Sequence, residues 1–212
     1  KQKTAYEIVD CDWSSDVCSS DLRGGCLFPD PDPTMTPTPP DNENGSHQLA
    51  VQTDRLMLGA LVASIVLAAV LGTYFNDLGL ALAVGLPLAL VGAGVSLSAP
   101  GSLASRLTLA ATLMGSVALH IQLARGLPEV HFGVFVTLAF LLAYRDWRVV
   151  LVGAGVIAVH HVLFDRLQAA GLGTYCLTQA DFMRVMVHAG YVVVQSGFEV
   201  FLSILMARAA VQ

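Results

Sequence analysis

Residues 56–75, LMLGALVASIVLAAVLGTYF, run for twenty positions without a charged side chain. A bilayer core of roughly 30 Å is crossed by about 20 helical residues. An amphipathic helix on a soluble core would instead place charge on one face at helical period. This stretch therefore reads as a transmembrane helix, and the same reading extends outward along the chain. Residues 78–97 form a second apolar run, with Pro87 as a tolerated kink, and residues 103–124 a third. Residues 130–144 and 147–164 are shorter and meet at the polar YRDWR, residues 144–148; residues 182–206 form the last run. The predicted fold is all-α: a polytopic membrane protein with a six-transmembrane-helix bundle over residues 55–208.

The flanks are of different character. Residues 1–22, KQKTAYEIVDCDWSSDVCSSDL, resemble a translated sequencing-library adapter, and residues 23–34 read as upstream sequence carried in frame. Such scars are set aside before fold reasoning. Met35 is the natural start, and the Pro- and Asn-rich TPTPPDNENGSHQ, residues 36–48, makes residues 35–54 a disordered cytoplasmic leader. From Met35 onward eight arginines face nine carboxylates and no lysine remains, so the acidic balance of the whole chain says nothing about partners. Three of the four cysteines also fall in the excluded segment. Cys176 alone cannot make a disulfide framework or a cysteine-based zinc site. No basic-then-apolar signal peptide precedes residue 56, no Gly-rich phosphate loop or nucleic-acid patch is evident, and no catalytic constellation marks an enzyme. The chain stops at MARAAVQ, residues 206–212, just as it leaves the last run, which leads us to expect a C-terminal cytoplasmic module beyond it.

With six crossings, Arg55, Arg106, Arg145, Arg148 and Arg208 fall on one side, and Arg125, Arg166 and Arg184 on the other. The positive-inside rule then puts both termini in the cytoplasm. Tyr144 and Trp147 beside Arg145 and Arg148 suit an inner interfacial anchor. The expected location is the bacterial inner membrane.

On this topology the histidines come to one depth near the outer leaflet. His120 closes the third span, His131 opens the fourth, the pair His160 and His161 lies late in the fifth, and His188 early in the sixth. Ionisable groups inside membranes face the bundle interior and mark sites. His120, His131, His161 and His188, with Glu129, are therefore candidate ligands for a transition metal (copper, iron or zinc) or a haem iron. The plainer alternative is a helix histidine hydrogen-bonded to a neighbouring helix. Adjacent helical residues point about 100° apart, so His161 is expected to face the interior and His160 a neighbour, with Asp165 at i+4 orienting the His161 ring. Thr108, Thr112, Ser116 and His120 recur every four residues as a helix–helix ridge. His188, Gln195 and Glu199 share a face of the last helix, where Gln195 could support the costly Glu199 carboxylate. Glu129 reads otherwise as a loop acid pairing Arg125.

The segments EVHFGVF, YRDWR, AVHHVLF and VHAGYVVV, set in residues 55–206, resemble the multi-span membrane region of some bacterial methyl-accepting chemotaxis proteins; related regions precede diguanylate cyclase modules. The resemblance implies a sensory input domain, a homodimer, and a cytoplasmic signalling module that acts on a kinase complex. The family pattern carries further histidines around Gln122 and Arg125 and a glutamate at Gln195. This chain departs there, which weakens a fixed metal site and leaves Glu199 as a displaced acid. A cytochrome b-like carrier or conduit is the alternative function.

Overall fold

The computed structural model describes residues 41–209, with no side-chain account of residues 41–44; residues 1–40, which hold the adapter-like segment and the start of the expected leader, and 210–212 lie outside the described residues. Six α-helices follow in order: α1 (Asp41–Tyr74), α2 (Leu78–Ser98), α3 (Leu103–Leu123), α4 (Pro128–Leu141), α5 (Trp147–Ala169) and α6 (Phe182–Ala209), with a 3-10 turn at Leu142–Tyr144 extending α4. There is no strand among the described residues. All of them except α4 are long and apolar enough to cross a membrane. Their outward residues are apolar as well: Val194 is 74 % and Leu90 72 % exposed. Faces of this kind are stable only against hydrocarbon, because a water-facing surface of contiguous apolar side chains has no compensating polar contact. The chain is a multi-pass helical membrane protein.

α3 is the most buried helix and packs against α1, α2, α4 and α5. Its core face includes Leu109, Leu113, Met114 and Val117, which meet Met57 and Leu61 of α1, Leu138 and Leu141 of α4 and Ile157 of α5. The ridge expected on α3 does mediate helix contacts. Ser116 Oγ lies 2.6 Å from Ser64 Oγ on α1. A Cβ at Gly92 of α2 would sit 2.5 Å from a Leu61 methyl and 3.0 Å from Thr112 Oγ1, so close approach of three helices needs glycine there. Pro87 leaves α2 continuous, as expected of a proline within a membrane helix.

The two ends of the bundle are built differently. At one end lies Asp54, 1 % exposed. Its Oδ2 accepts from the Gly101 amide and the Ser105 hydroxyl, each at 2.6 Å, and its Oδ1 accepts from the Tyr144 hydroxyl at 2.8 Å. Four elements, α1, the α2–α3 turn, α3 and the 3-10 turn, are thus tied to one carboxylate. Beside it, Asp146 caps α5 and pairs with Arg148 at 3.0 Å and Arg106 at 3.5 Å. Burial opposes its charge, but the hydrogen bonds and charge of Arg148, with Arg106, outweigh this and hold the Asp146 carboxyl below its ordinary value. The YRDWR segment, expected as an interfacial anchor, also forms a structural knot at this end. Asp54 was assigned to the leader; residues 41–54 are the first turns of α1.

At the opposite end, side chains replace secondary structure in holding the α5–α6 loop. Gln168 Oε1 accepts from the Cys176 and Leu177 amides while its Nε2 donates to the Leu177 carbonyl. Gln122 of α3 accepts from the Tyr175 amide and donates to the Gly173 carbonyl. The loop lies so tightly on the α3–α4 turn that a Cβ at Gly126, which has φ +75°, would collide with the Leu177 carbonyl. Through its 3-10 turn, α4 runs from this loop to Asp54, between the same two ends as α3.

Candidate ligand site

α4, α5 and α6 enclose a cavity of about 560 Å³ near the loop end. Apart from Phe135, its apolar walls are aliphatic or small, including Ala154, Gly155 and Ala158 of α5 and Ala189 and Gly197 of α6. The small residues leave the space: a Cβ at Gly155 or Gly197 would meet nothing within 4 Å. The polar lining is confined to His131, His161, His188 and Ser196.

The structure brings four of the six helix histidines together. Ring centroids are 5.4 Å apart for His160 and His161, 5.5 Å for His161 and His131, and 5.8 Å for His131 and His188. Local helical geometry orients several of them. In His131, His161 and His188, Nδ1 lies 2.9 Å from the carbonyl four residues earlier, those of Leu127, Ile157 and Arg184. A carbonyl only accepts, so Nδ1 of His161 and His188 carries the proton. In the neutral rings their Nε2 atoms, without hydrogen bonds, are then lone-pair acceptors. His131 differs, because its Nε2 also lies 2.9 Å from a carbonyl, that of Cys176. Only a doubly protonated ring donates to both; a neutral ring donates to one.

Other expected members stand elsewhere. His120 does not join the cluster. It turns to α1, where its Nε2 lies 2.8 Å from the Ser64 carbonyl, so the plainer reading of a helix-bridging histidine holds for it. Glu129 is exposed in the first turn of α4 and makes no ion pair with Arg125. Asp165 does not orient His161. It is 2 % exposed, its Oδ1 accepts from the Asp181 amide at 3.0 Å, and Oδ2 lies 3.7 Å from Arg166. The Ile157 carbonyl holds the His161 ring instead.

His161 lines the cavity, as expected of the inward ring of the pair, and His160 does not. Both are buried, because α5 packs on α3 as well as on α6 and so has more than one inward face. The His160 ring lies 4.2 Å from that of Phe164, and neither of its nitrogens has a hydrogen-bond partner.

On α6, Gln195 Nε2 donates to Glu199 Oε1 at 2.7 Å, the support expected for that acid, and also to the Phe135 carbonyl at 3.3 Å. Glu199 Oε2 has no partner. Ser196, missed in the sequence, is 6 % exposed, lines the cavity and has no hydrogen-bond partner either. Its spacing from His188, Glu199 and Ser203 by eight, three and seven residues marks one helical face, a signal that was present.

Cys176 packs with Leu177 and Val185 beneath the loop. Burial, with the Asp165 charge nearby, pushes its thiol up to about 12.

The donor set can be tested against the groups considered for it. Among the described residues, no three His, Cys, Asp or Glu side chains are grouped to hold a metal ion. A haem would need cationic partners for its propionates, and among the described residues no arginine or lysine lines the cavity. The arrangement is an apolar slot with imidazole acceptors at one end and a hydroxyl further in. The chain matches no family model, no curated protein and no solved structure.

Proposed function

We propose that this chain is the membrane-embedded sensory input domain of a bacterial chemoreceptor or a related signal transducer, working as a homodimer in the inner membrane. In this reading α4 with its 3-10 turn is a sixth crossing. The loop end faces outward, both termini are cytoplasmic, and a signalling module with its kinase complex lies below α6. The observation that carries the proposal is the cavity itself. An imidazole-lined space is walled on one side by α6, the last helix, so an occupant there acts directly on the element that leads to the cytoplasm.

Occupancy changes the packing only if the ligand binds two arrangements of α4, α5 and α6 with different affinity. Few fixed contacts hold α6 near the cavity: Glu199 Oε2 and the hydroxyls of Ser196 and Ser203 are unpaired. A helix held mainly by apolar contacts can slide or tilt at low cost.

The test is a chimera in which α6 continues into a chemoreceptor signalling coiled coil, with kinase activity as readout. Filling the cavity by Gly155→Leu is expected to lock the output at one level. Normal, stimulus-responsive kinase control in that variant would refute the proposal, as would labelling that places positions 120 and 188 on opposite sides of the membrane. A cytochrome b-like carrier would instead show a Soret band that disappears in His188→Ala.

A further inference from the structure

From the cavity's hydrogen-bonding pattern we infer that it takes a lipid-soluble aromatic diol of the hydroquinone class and discriminates against the corresponding dione. The inference rests on the reading of this cavity as the sensory site and specifies its occupant.

Three independent features define the occupant. The first is the polarity of the imidazoles. Because Nδ1 of His161 and His188 is committed to the Ile157 and Arg184 carbonyls, the Nε2 atoms of the neutral rings offer acceptors rather than donors. A hydroxyl satisfies such an acceptor; a quinone carbonyl meets it lone pair to lone pair. The site as built prefers the reduced, O–H-bearing form.

The second is the buried Ser196 hydroxyl, which lines the same cavity without a partner. It lies eight residues beyond His188, a rise of about 12 Å along a helix. An occupant that meets both positions carries a polar atom at each end of an apolar body, as a six-membered ring with oxygen at opposite corners does. A water molecule or a small alcohol cannot reach both ends.

The third is access. Leu151, Val162 and Val193 line the cavity and are also 47 %, 44 % and 70 % exposed on the apolar flank of α5 and α6. The cavity therefore meets the hydrocarbon through its side wall, and a ligand dissolved in the bilayer enters without crossing water. The remaining walls are apolar, aliphatic but for Phe135, as a ring with methyl or alkyl substituents requires. Binding alone is inferred, with no electron transfer.

The test uses the full chain in nanodiscs of phosphatidylcholine and phosphatidylglycerol. Tetramethylhydroquinone and tetramethyl-1,4-benzoquinone are compared anaerobically by equilibrium dialysis, against empty discs. The diol is expected to bind one to one and at least tenfold more tightly than the dione. His188→Phe and His161→Phe should reduce that preference towards unity. Ser196→Ala should weaken both ligands about tenfold, since the hydroxyl can donate to either, and Gly155→Leu should abolish both. If the histidine variants fail to fold, the preference in the unaltered chain and the other two substitutions still decide the matter.

Equal or tighter binding of the dione overturns the inference, and so does diol binding that survives Gly155→Leu. A copper or zinc ion bound one to one and lost in His161→Phe, with no diol bound, refutes the hydroquinone class and leaves the sensory reading standing. No occupant of any kind, together with an unaltered chimera output in Gly155→Leu, sinks both.

Discussion

The Asp54 end and the imidazole end are both polar, both buried, and opposite in construction. At the Asp54 end three donors converge on one carboxylate, and both of its oxygens are used. At the imidazole end and further along α6 polar atoms outnumber partners: both nitrogens of His160, the Ser196 hydroxyl and Glu199 Oε2 go unpaired. A buried polar group without a partner costs about 1–3 kcal/mol, whereas a paired one contributes modestly. The first arrangement is what a structural clamp requires. The second is expected where an occupant completes the bonding or where a helix must move, and strain of that kind clusters at functional sites.

The largest effect should come from breaking the clamp. Asp54→Ala strands the Gly101 amide and the Ser105 and Tyr144 hydroxyls, and should destabilise the fold by roughly 3 kcal/mol. Unfolding of the detergent-solubilised protein measures this; a loss below about 1 kcal/mol would erase the contrast between the two ends. Tyr144→Phe removes one of the three bonds and should cost about 1–2 kcal/mol in the same assay.

A third experiment probes how closely the loop covers the imidazole end. In the folded chain the Cys176 thiol stays protonated well above the 9.0 of an ordinary thiol, reaching about 12. Because the fold favours the neutral form, it is destabilised as pH rises from about 9 towards about 12, while below 9 its contribution is complete. A maleimide at pH 8 should therefore label Cys176 only upon unfolding. Rapid labelling of the native protein would show the loop to be loose.

The smallest effect is expected at His160. Replacing it by Phe sacrifices no hydrogen bond, removes two unpaired buried nitrogens and keeps an aromatic ring against Phe164, so stability should rise by about 1 kcal/mol. A large loss would mean that the ring is bonded after all, and would bring the two ends closer in kind.

The membrane class was legible because hydrocarbon imposes a long, charge-free pattern that composition alone displays. Meeting of His131, His161 and His188 was legible too, since depth and helical phase follow from span boundaries. What phase cannot supply is the identity of neighbours. His120 shares the depth of the others, yet α3 presents that face to α1. His160, assigned to a neighbour, is as buried as His161, because α5 packs against both α3 and α6. Ser196 was passed over for Gln195, one residue and about 100° away. Asp54 was hidden by its polar surroundings, where a buried carboxylate and a solvated one look alike. Its signal was Tyr144, ninety positions away, and no local pattern joins them.

The knot formed by Gln122, Gln168 and His131 on the loop has a mechanical consequence. Three helices hold that segment by specific bonds and Asp165 accepts from the Asp181 amide, so the first turn of α6 is pinned, while beyond it α6 is tied to α4 by Gln195 and otherwise rests mainly on apolar side chains. A rod fixed at one tip responds to a sideways push by pivoting. α6 has 28 residues and a length of about 42 Å, so a swing of about 5° at the knot carries its far tip by roughly 4 Å. Sub-ångström adjustments beside the fulcrum are thereby magnified at the opposite membrane face.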